Sequence, residues 1–202
     1  MKLYYSAGAC SLSAHIALKE SGLTFEAIAA PTKTHTLADG TDYYTLNPLG
    51  YVPLLVLDDG SQLREGQVIV QYIADQVPAK QLAPANGTFE RYKLQEWLGF
   101  IGTELHKNFS PLFTPGMPEE AKLIFKARLN SRLAWVNSEL AGKTYLMGDT
   151  FTVADGYLFT IAGWCKHVGV DLSGLSHLNA FMARVGERPA VQAALRAESL
   201  TP

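Results

Sequence analysis

Hydrophobic and polar positions follow two different patterns along the chain, and the change between them divides it into two parts. In the first eighty residues, short apolar runs typical of strands alternate with stretches of helical period. Strands are predicted over Lys2–Tyr5 and Thr24–Ala30, and the helix between them would make the two strands parallel. Leu37–Leu46 has a weak helical pattern, and the turn residues Asp58–Ser61 predict an antiparallel hairpin. A further helix after this hairpin would complete a compact α/β domain over residues 1–80.

Beyond residue 88 the apolar positions follow the helical period only. Pro78–Thr88 is the best linker candidate, because it holds two prolines, a glycine and no periodic pattern. Thr152 followed by Asp155 three residues later resembles a capping box, so a helix is predicted to begin there. We therefore expect an all-helical domain over residues 88–202. Its helices are predicted near 94–105, 121–140, 154–165, 176–186 and 189–197.

The composition excludes several broad classes of function. Hydrophobic residues make up 48% of the chain, enough for a sizeable core, and the formal net charge of −2 offers no basic surface for nucleic acid. No apolar run approaches the roughly 18 residues that a membrane span needs, and no signal peptide precedes the first strand. Cys10 and Cys165 are the two cysteines and form no C-x-x-C pair, which indicates a reducing compartment. We expect a cytoplasmic protein without nucleic-acid or membrane partners.

The sequence lacks the spacing of metal sites and the motifs of several large enzyme classes. No two histidines stand at the i, i+4 spacing that places both on one helix face, so we expect no metal site. The serine-hydrolase motif G-x-S-x-G, the P-loop and the dinucleotide fingerprint G-x-G-x-x-G are also absent. Candidate chemistry must therefore come from other residues.

Cys10 is the first such residue, because it lies where the first strand turns into a helix. The N-terminus of a helix favours negative charge, so a thiol there can have its pKa lowered from about 8.5 towards roughly 3.5–7.5. The alternative is a buried cysteine that acts as a small hydrophobic residue. Position alone leaves both interpretations open.

Two further short stretches could bind a peptide. Pro53 stands at the start of an apolar strand and is a candidate for a cis peptide bond, which would turn the backbone N–H and C=O of Val52 outward. Glu65 and Gly66 open a helix, where backbone N–H groups could receive a carboxylate while the Glu65 side chain holds an ammonium group. The simpler interpretation of Glu65 is an acidic residue that complements the helix dipole.

Together these stretches resemble the glutathione S-transferases. Asn47–Pro53 is similar to the N-P-x-G-x-V-P stretch of that family, whose proline is cis, and Glu65–Gly66 is similar to its E-S/G pair. Thr152–Asp155 resembles the capping box of its helical domain, and the element order is that of the thioredoxin fold. Ala9–Leu12 and Thr103–Lys107 point to the bacterial beta class.

The resemblance implies a thioredoxin-like domain that binds glutathione, an all-helical domain that binds an electrophilic co-substrate, and a cytosolic homodimer. Glutathione would be a co-substrate, with no permanently bound cofactor. Cys10 and His106 would act at the glutathione sulfur, and Cys10 could form a mixed disulfide with it. The implied glutathione-binding residues are Cys10, His35, Val52, Pro53, Glu65, Gly66, Thr103, Glu104, His106 and Lys107.

This chain departs from the family pattern at two positions. His35 stands where relatives often carry lysine, and because histidine is largely neutral at pH 7, affinity for the glycine carboxylate of glutathione could be weaker. Gly99 stands where asparagine is common, which leaves room for a bulkier co-substrate. The aromatic residues Phe109, Phe113 and Trp164 could line the co-substrate site or belong to the core.

Three functions stay open at this point. The first is glutathione transfer to small, electrophilic, hydrophobic compounds, as in detoxification. The second is glutaredoxin-like thiol–disulfide exchange or peroxide reduction through the C-x-x-S arrangement of Cys10 and Ser13. The third is a non-catalytic, partner-binding protein on the same fold. The sequence identifies neither the co-substrate nor which thiol attacks it.

Overall fold

The structure, a computed structural model, describes residues 1–200 and divides the chain into two compact units. The first unit comprises Met1–Ala83 together with the segment that begins at Arg188, and the second comprises Pro84–Glu187. The first boundary lies inside the predicted linker. The assignment of the whole of residues 88–202 to the helical domain was wrong in one respect, because the last helix belongs to the first unit.

The first unit is built on a four-stranded sheet with the order β2-β1-β3-β4. Its strands are β1 (Lys2–Tyr5), β2 (Glu26–Ala29), β3 (Leu54–Val56) and β4 (Gln62–Leu63). β1 pairs with β2 in parallel, whereas β1–β3 and β3–β4 are antiparallel. The parallel pair and the hairpin are therefore as predicted. β3 begins only after Pro53, which has no N–H to donate to the ladder.

Three helices complete the first unit: α1 (Leu12–Ser21), α2 (Gly66–Asp75) and α9 (Pro189–Ala197). α1 ends at Gly22, whose φ of 75° suits a residue without a Cβ atom. α9 packs against α1 and buries Val191 and Ala194. Arg188 adds a two-pronged ion pair to Glu20 of α1, with nitrogen–oxygen distances of 2.6 and 2.9 Å. The helical period of the apolar residues in α9 could be predicted from the sequence, but its packing against α1 could not.

Leu37–Leu46 is not the weak helix that its pattern predicts. Its one helical element is a short 3₁₀ turn over Tyr43–Thr45, and Asp42 caps that turn by accepting from the Tyr44 N–H at 3.0 Å. Gly40, at φ 86°, makes a turn that interrupts any continuous helix. Tyr43 is fully buried, so the apolar residues here anchor a loop.

The second unit is all-helical, as predicted. Its helices are α3 (Phe89–Phe100), α4 (Lys107–Phe113), α5 (Glu119–Glu139), α6 (Val153–Ala162), α7 (Cys165–Val168) and α8 (Ser176–Gly186). A π-helical turn, Ile101–His106, joins α3 to α4. The predicted capping box is confirmed, since the buried Asp155 carboxylate accepts from the Thr152 N–H at 2.7 Å and begins α6. Within residues 1–200, no helix combines the length and apolarity that crossing a membrane requires.

Candidate functional site

The Cys10 thiol lies beside the backbone of Val52. Its Sγ is 3.2 Å from the Val52 carbonyl oxygen, and the thiol donates to that oxygen in a partly buried position. This donation needs the proton, because a thiolate would meet the carbonyl oxygen with like partial charge. The contact therefore favours the neutral thiol and opposes the effect of the nearby helix terminus.

The turn that carries Cys10 is fixed by its own hydrogen bonds. The N–H groups of Leu12 and Ser13 donate to the carbonyls of Ala9 and Cys10, at 3.0 and 3.2 Å, so these helix-start donors are already used. The Ser13 hydroxyl donates to the Cys10 carbonyl at 2.7 Å, not to the sulfur. The fully buried Ser11 hydroxyl bonds both the N–H and the C=O of Ser6. Sequence reasoning missed Ser11, which holds the two ends of the turn together.

The loop before Val52 is held in place by Asn47. Its side-chain nitrogen donates to the Tyr51 carbonyl at 2.7 Å, and the Tyr43 hydroxyl donates to the same oxygen at 2.9 Å. Burial raises the pKa of Tyr43 to about 12, so this hydroxyl remains a donor at any physiological pH. Gly50 turns the chain at φ 66° between these anchors. The N-P-L-G residues thus deliver Val52 in a defined position.

Val52 presents a free edge of backbone. The Val52–Pro53 peptide is cis. The Val52 N–H makes no hydrogen bond to any other residue of the described part of the chain, and its carbonyl meets Cys10. An unpaired N–H beside a C=O on the same residue is the arrangement to which an extended peptide adds as a further strand.

Glu65 and Gly66 begin α2 next to this edge. Glu65 has φ 65° and ψ 109°, an unfavourable backbone conformation for a residue with a side chain. Its carbonyl accepts from the N–H groups of Val68 and Ile69, at 2.9 and 3.0 Å, while the N–H groups of Gly66 and Gln67 have no partner among residues 1–200. A Cβ atom on Gly66 would lie 3.7 Å from the Pro53 ring and 3.9 Å from the Ser13 hydroxyl. The helix terminus that could receive a carboxylate therefore adjoins Pro53 and the Cys10 turn.

His35 lies in the loop that leads to this edge. Its ring packs on Tyr44 at a centroid distance of 4.5 Å and lies close to Gly50. The ring nitrogen Nδ1 is buried without a hydrogen-bond partner among the described residues. The backbone φ of 52° turns the chain at this point. His35 is thus held by stacking, and its position relative to Gly50 depends on the absence of a side chain there.

The predicted site residues of the helical unit lie on the π-helical turn and the first residue of α4. His106 is half-buried, and its Nδ1 is 2.8 Å from the Tyr157 hydroxyl. Burial, followed by the positive charge of Lys107, lowers the pKa of His106 to about 4. His106 is therefore neutral at pH 7 and can offer one N–H donor and one acceptor nitrogen.

The three other candidate residues near His106, which are Thr103, Glu104 and Lys107, have different environments. The Glu104 carboxylate forms an ion pair with Arg132 of α5, 2.7 Å apart, with both side chains more than two-fifths exposed. The Thr103 hydroxyl donates to the Gly99 carbonyl at 3.0 Å. Lys107 is exposed. Because a π-helical turn holds more residues than an α-helical one, the side chains of Thr103 and His106 point in directions that differ from those of an ideal α-helix.

Aromatic rings surround His106. Trp164 packs edge-on against His106, with ring centroids 5.1 Å apart, and also touches Phe109 and Phe113. Phe109 is fully buried and belongs to the core, whereas Phe113 is 49% exposed. Sequence reasoning missed Tyr157, because nothing in its own helix indicates a partner 51 residues away.

The structure thus assembles two groups of candidate residues, each within its own unit. In the first unit, Cys10, Val52, Pro53 and Gly66 are close neighbours, with Glu65 next to Gly66. This group offers a thiol, an unpaired backbone N–H and a helix terminus, which suit a short extended peptide with a carboxylate. No cluster of His, Cys, Asp or Glu in residues 1–200 could hold a metal ion.

Comparison with known proteins gives consistent matches over the whole chain. Residues 7–76 match the family described as glutathione S-transferase, N-terminal domain, and residues 100–189 match its C-terminal domain. Glutathione S-transferase GstA of Escherichia coli O157:H7 is 49% identical over 99% of this chain and 100% of its own length. The solved beta class glutathione S-transferase of Sphingomonas chungbukensis is 48% identical, with full coverage of both chains and a TM-score of 0.96. A sphingomonad glutathione S-transferase complexed with glutathione is 46% identical, again with full coverage of both chains and a TM-score of 0.96.

Proposed function

Because this chain belongs to the glutathione S-transferase family and is a glutathione transferase, we propose that its α/β unit binds glutathione along Val52 and at the start of α2. The bound thiol is then conjugated to small, electrophilic, hydrophobic compounds. The observation that carries this proposal is the unpaired N–H of Val52, beside a carbonyl that already meets the Cys10 sulfur. Glutathione is an extended tripeptide whose central cysteinyl residue offers a matching C=O and N–H.

Each end of glutathione has a chemically matched partner in this unit. The γ-glutamyl carboxylate fits the unpaired N–H groups of Gly66 and Gln67, where the helix dipole favours negative charge. The γ-glutamyl ammonium fits the exposed carboxylate of Glu65. His35 is the proposed donor to the glycine carboxylate, and Pro53 packs beneath the cysteinyl residue.

In the helical unit, Thr103, Glu104, His106 and Lys107 are the proposed glutathione contacts, and His106 is the one that we propose acts in the reaction. A neutral imidazole can stabilise a sulfur anion by donating a hydrogen bond to it. Glu104 can contribute only by sharing its carboxylate with Arg132, its present partner.

Cys10 has two proposed roles, and both depend on its place beside Val52. As a thiol, it donates a hydrogen bond to the glutathione sulfur and stabilises the thiolate. As a thiolate, it attacks glutathione disulfide: a new sulfur–sulfur bond forms to Cys10, the old one breaks, and glutathione thiolate leaves. The product is the mixed disulfide, and this second role is the glutaredoxin-like alternative.

Calorimetry with glutathione and a conjugation assay with a chloronitrobenzene acceptor test the proposal. We expect saturable binding and conjugation by the wild-type protein, and a glutathione adduct at Cys10 by mass spectrometry after treatment with glutathione disulfide. Cys165→Ala is the matched control, because burial raises the pKa of Cys165 to about 12 and keeps it unreactive. Absence of both binding and conjugation would refute the proposal and favour a partner-binding protein. Conjugation that survives Cys10→Ala assigns the attack to the glutathione thiol alone.

We further propose that the chain works in the cytoplasm as a homodimer with a detoxification role. Large apolar side chains are exposed on both units, among them Tyr51 at 66%, Phe89 at 73% and Leu123 at 65%. Where such residues form a contiguous apolar patch, they mark a protein–protein contact. Light scattering should give twice the chain mass of 22.0 kDa, and a monomer at micromolar concentration would contradict this part.

A further inference from the structure

The hydroxyl of Tyr157 lies directly on the ring nitrogen of His106. The Tyr157 oxygen is 2.8 Å from Nδ1, and the two rings meet edge-on at 82° with centroids 6.0 Å apart. Tyr157 is 4% exposed, so water does not compete freely for this contact. Distance and burial together make it a persistent hydrogen bond.

The direction of this bond follows from the chemistry of its two groups. Lowering of the His106 pKa to about 4 leaves the imidazole neutral at pH 7, with one N–H and one acceptor nitrogen. A phenol hydroxyl is a good donor, and the bare imidazole nitrogen is the stronger acceptor of the pair. The hydroxyl therefore donates to Nδ1, and the proton of the ring resides on Nε2.

Tyr157 is itself held firmly. Two residues before it, the buried Asp155 carboxylate caps α6 and also accepts from the Leu146 N–H at 2.8 Å. On the other side, the Trp164 ring packs edge-on against His106 and resists rotation of the imidazole. The start of α6 and the tryptophan together fix which ring nitrogen faces the hydroxyl.

We infer that Tyr157 is a positioning residue that sets the tautomer of His106, so that Nε2–H is the donor that His106 offers to the reactants. The consequence for the reaction rests on the proposed function, in which His106 stabilises the glutathione sulfur anion. A neutral imidazole in the opposite tautomer would present a lone pair and repel that anion. Tyr157 thus acts through His106 without touching the sulfur.

The tautomer can be measured without substrate. Long-range proton–nitrogen correlation spectra of protein labelled with ¹⁵N-histidine distinguish a protonated ring nitrogen from a bare one at pH 7, and the His106→Gln variant assigns the His106 signals. We expect a protonated Nε2 and a bare, hydrogen-bonded Nδ1 in the wild-type protein. Tyr157→Phe should shift both signals towards a mixture of tautomers. Tyr92→Phe is the matched control, because Tyr92 is an exposed tyrosine of the same unit.

Kinetics then test the use of this donor. Tyr157→Phe should lower kcat for conjugation about tenfold, as for loss of one oriented hydrogen bond, with the KM for glutathione changed less than kcat. A protonated Nδ1 in the wild-type protein overturns the inference, and this result does not depend on whether Tyr157→Phe folds. Unchanged His106 signals or unchanged kcat in a folded Tyr157→Phe protein also overturn it. Absence of both glutathione binding and conjugation by the wild-type protein refutes the proposed function instead, and leaves the tautomer measurement valid.

Discussion

The carboxylate of Glu198 joins α9 to α1, and its removal gives the sharpest prediction about stability. Oε1 is 2.9 Å from Nδ1 of His15, and Oε2 accepts from the Gly8 N–H at 3.0 Å. Glu198 is 3% exposed and His15 is fully buried. Nε2 of His15 is buried without a partner among residues 1–200, so the contact with Glu198 is the hydrogen bond on which the ring depends.

Glu198→Ala removes the acceptor of two buried donors at once. Hydrogen bonds to a charged group contribute about 1.5–3 kcal/mol each, and breaking a buried pair by deleting one partner costs about 3–5 kcal/mol. We therefore expect the free energy of unfolding to fall by about 3–5 kcal/mol, a large part of the roughly 5–15 kcal/mol of a typical domain.

Urea unfolding at pH 7, followed by circular dichroism, measures this loss. Glu20→Gln is the matched control, because it breaks the less buried pair of Glu20 with Arg188 on the same two helices and should cost about 1 kcal/mol. Glu198→Gln should lie between the two, since its amide oxygen can still accept from Gly8. The reasoning is refuted if Glu198→Ala costs less than 1 kcal/mol or no more than Glu20→Gln.

Three further predictions concern the candidate site. Gly50→Ala should destabilise the protein by about 2 kcal/mol and weaken glutathione binding, because its Cβ would lie 2.7 Å from the Tyr44 ring. Gly60→Ala is the control: Gly60 has φ 85° and open space around it, so this variant measures the cost of the backbone conformation alone. Gly66→Ser should change the unfolding free energy by less than about 0.5 kcal/mol, because its Cβ would lie at ordinary contact distances from Pro53 and Ser13. The KM for glutathione should be no higher than in the wild-type protein, and a raised KM would contradict this. The His106 pKa falls from 6.5 to about 4 on folding, so the unfolded chain binds the proton first as the pH drops. The free energy of unfolding should therefore decrease by about 3 kcal/mol between pH 6.5 and 4. Urea titrations at several pH values measure this, and a His106→Gln variant that loses as much stability over this range as the wild-type protein would contradict it.

Much of the fold follows from local sequence patterns. The last two helices occupy the predicted residues Ser176–Gly186 and Pro189–Ala197, because a helical period and a proline at the first position are local signals. The π-helical turn over Ile101–His106 was not predictable, because its apolar positions also fit an α-helix and only the hydrogen-bond register differs. Leu37–Leu46 shows the reverse failure, in which a buried tyrosine in a loop imitates one turn of helix.

In the candidate site, too, some residues could be predicted from the sequence and others could not. Cys10, Val52 and Gly66 could be predicted because each belongs to a short motif, and the structure places them side by side. Tyr157 and Glu198 could not, since each acts on a residue far away along the chain through one side-chain contact. Hydropathy treats Tyr157 as one position in a helix and Glu198 as the residue after one, whereas their contacts depend on how distant parts of the chain pack together.

The place of α9 in the first unit has a consequence for how the chain folds as it is synthesised. Its partner α1 precedes the second unit along the chain, and the whole of that unit is translated before Arg188 emerges. The apolar face of α1 that α9 covers therefore stays without this partner while Pro84–Glu187 is translated. The helical unit is the first whose contacts are all present on the ribosome, and the α/β unit is completed last although it begins first.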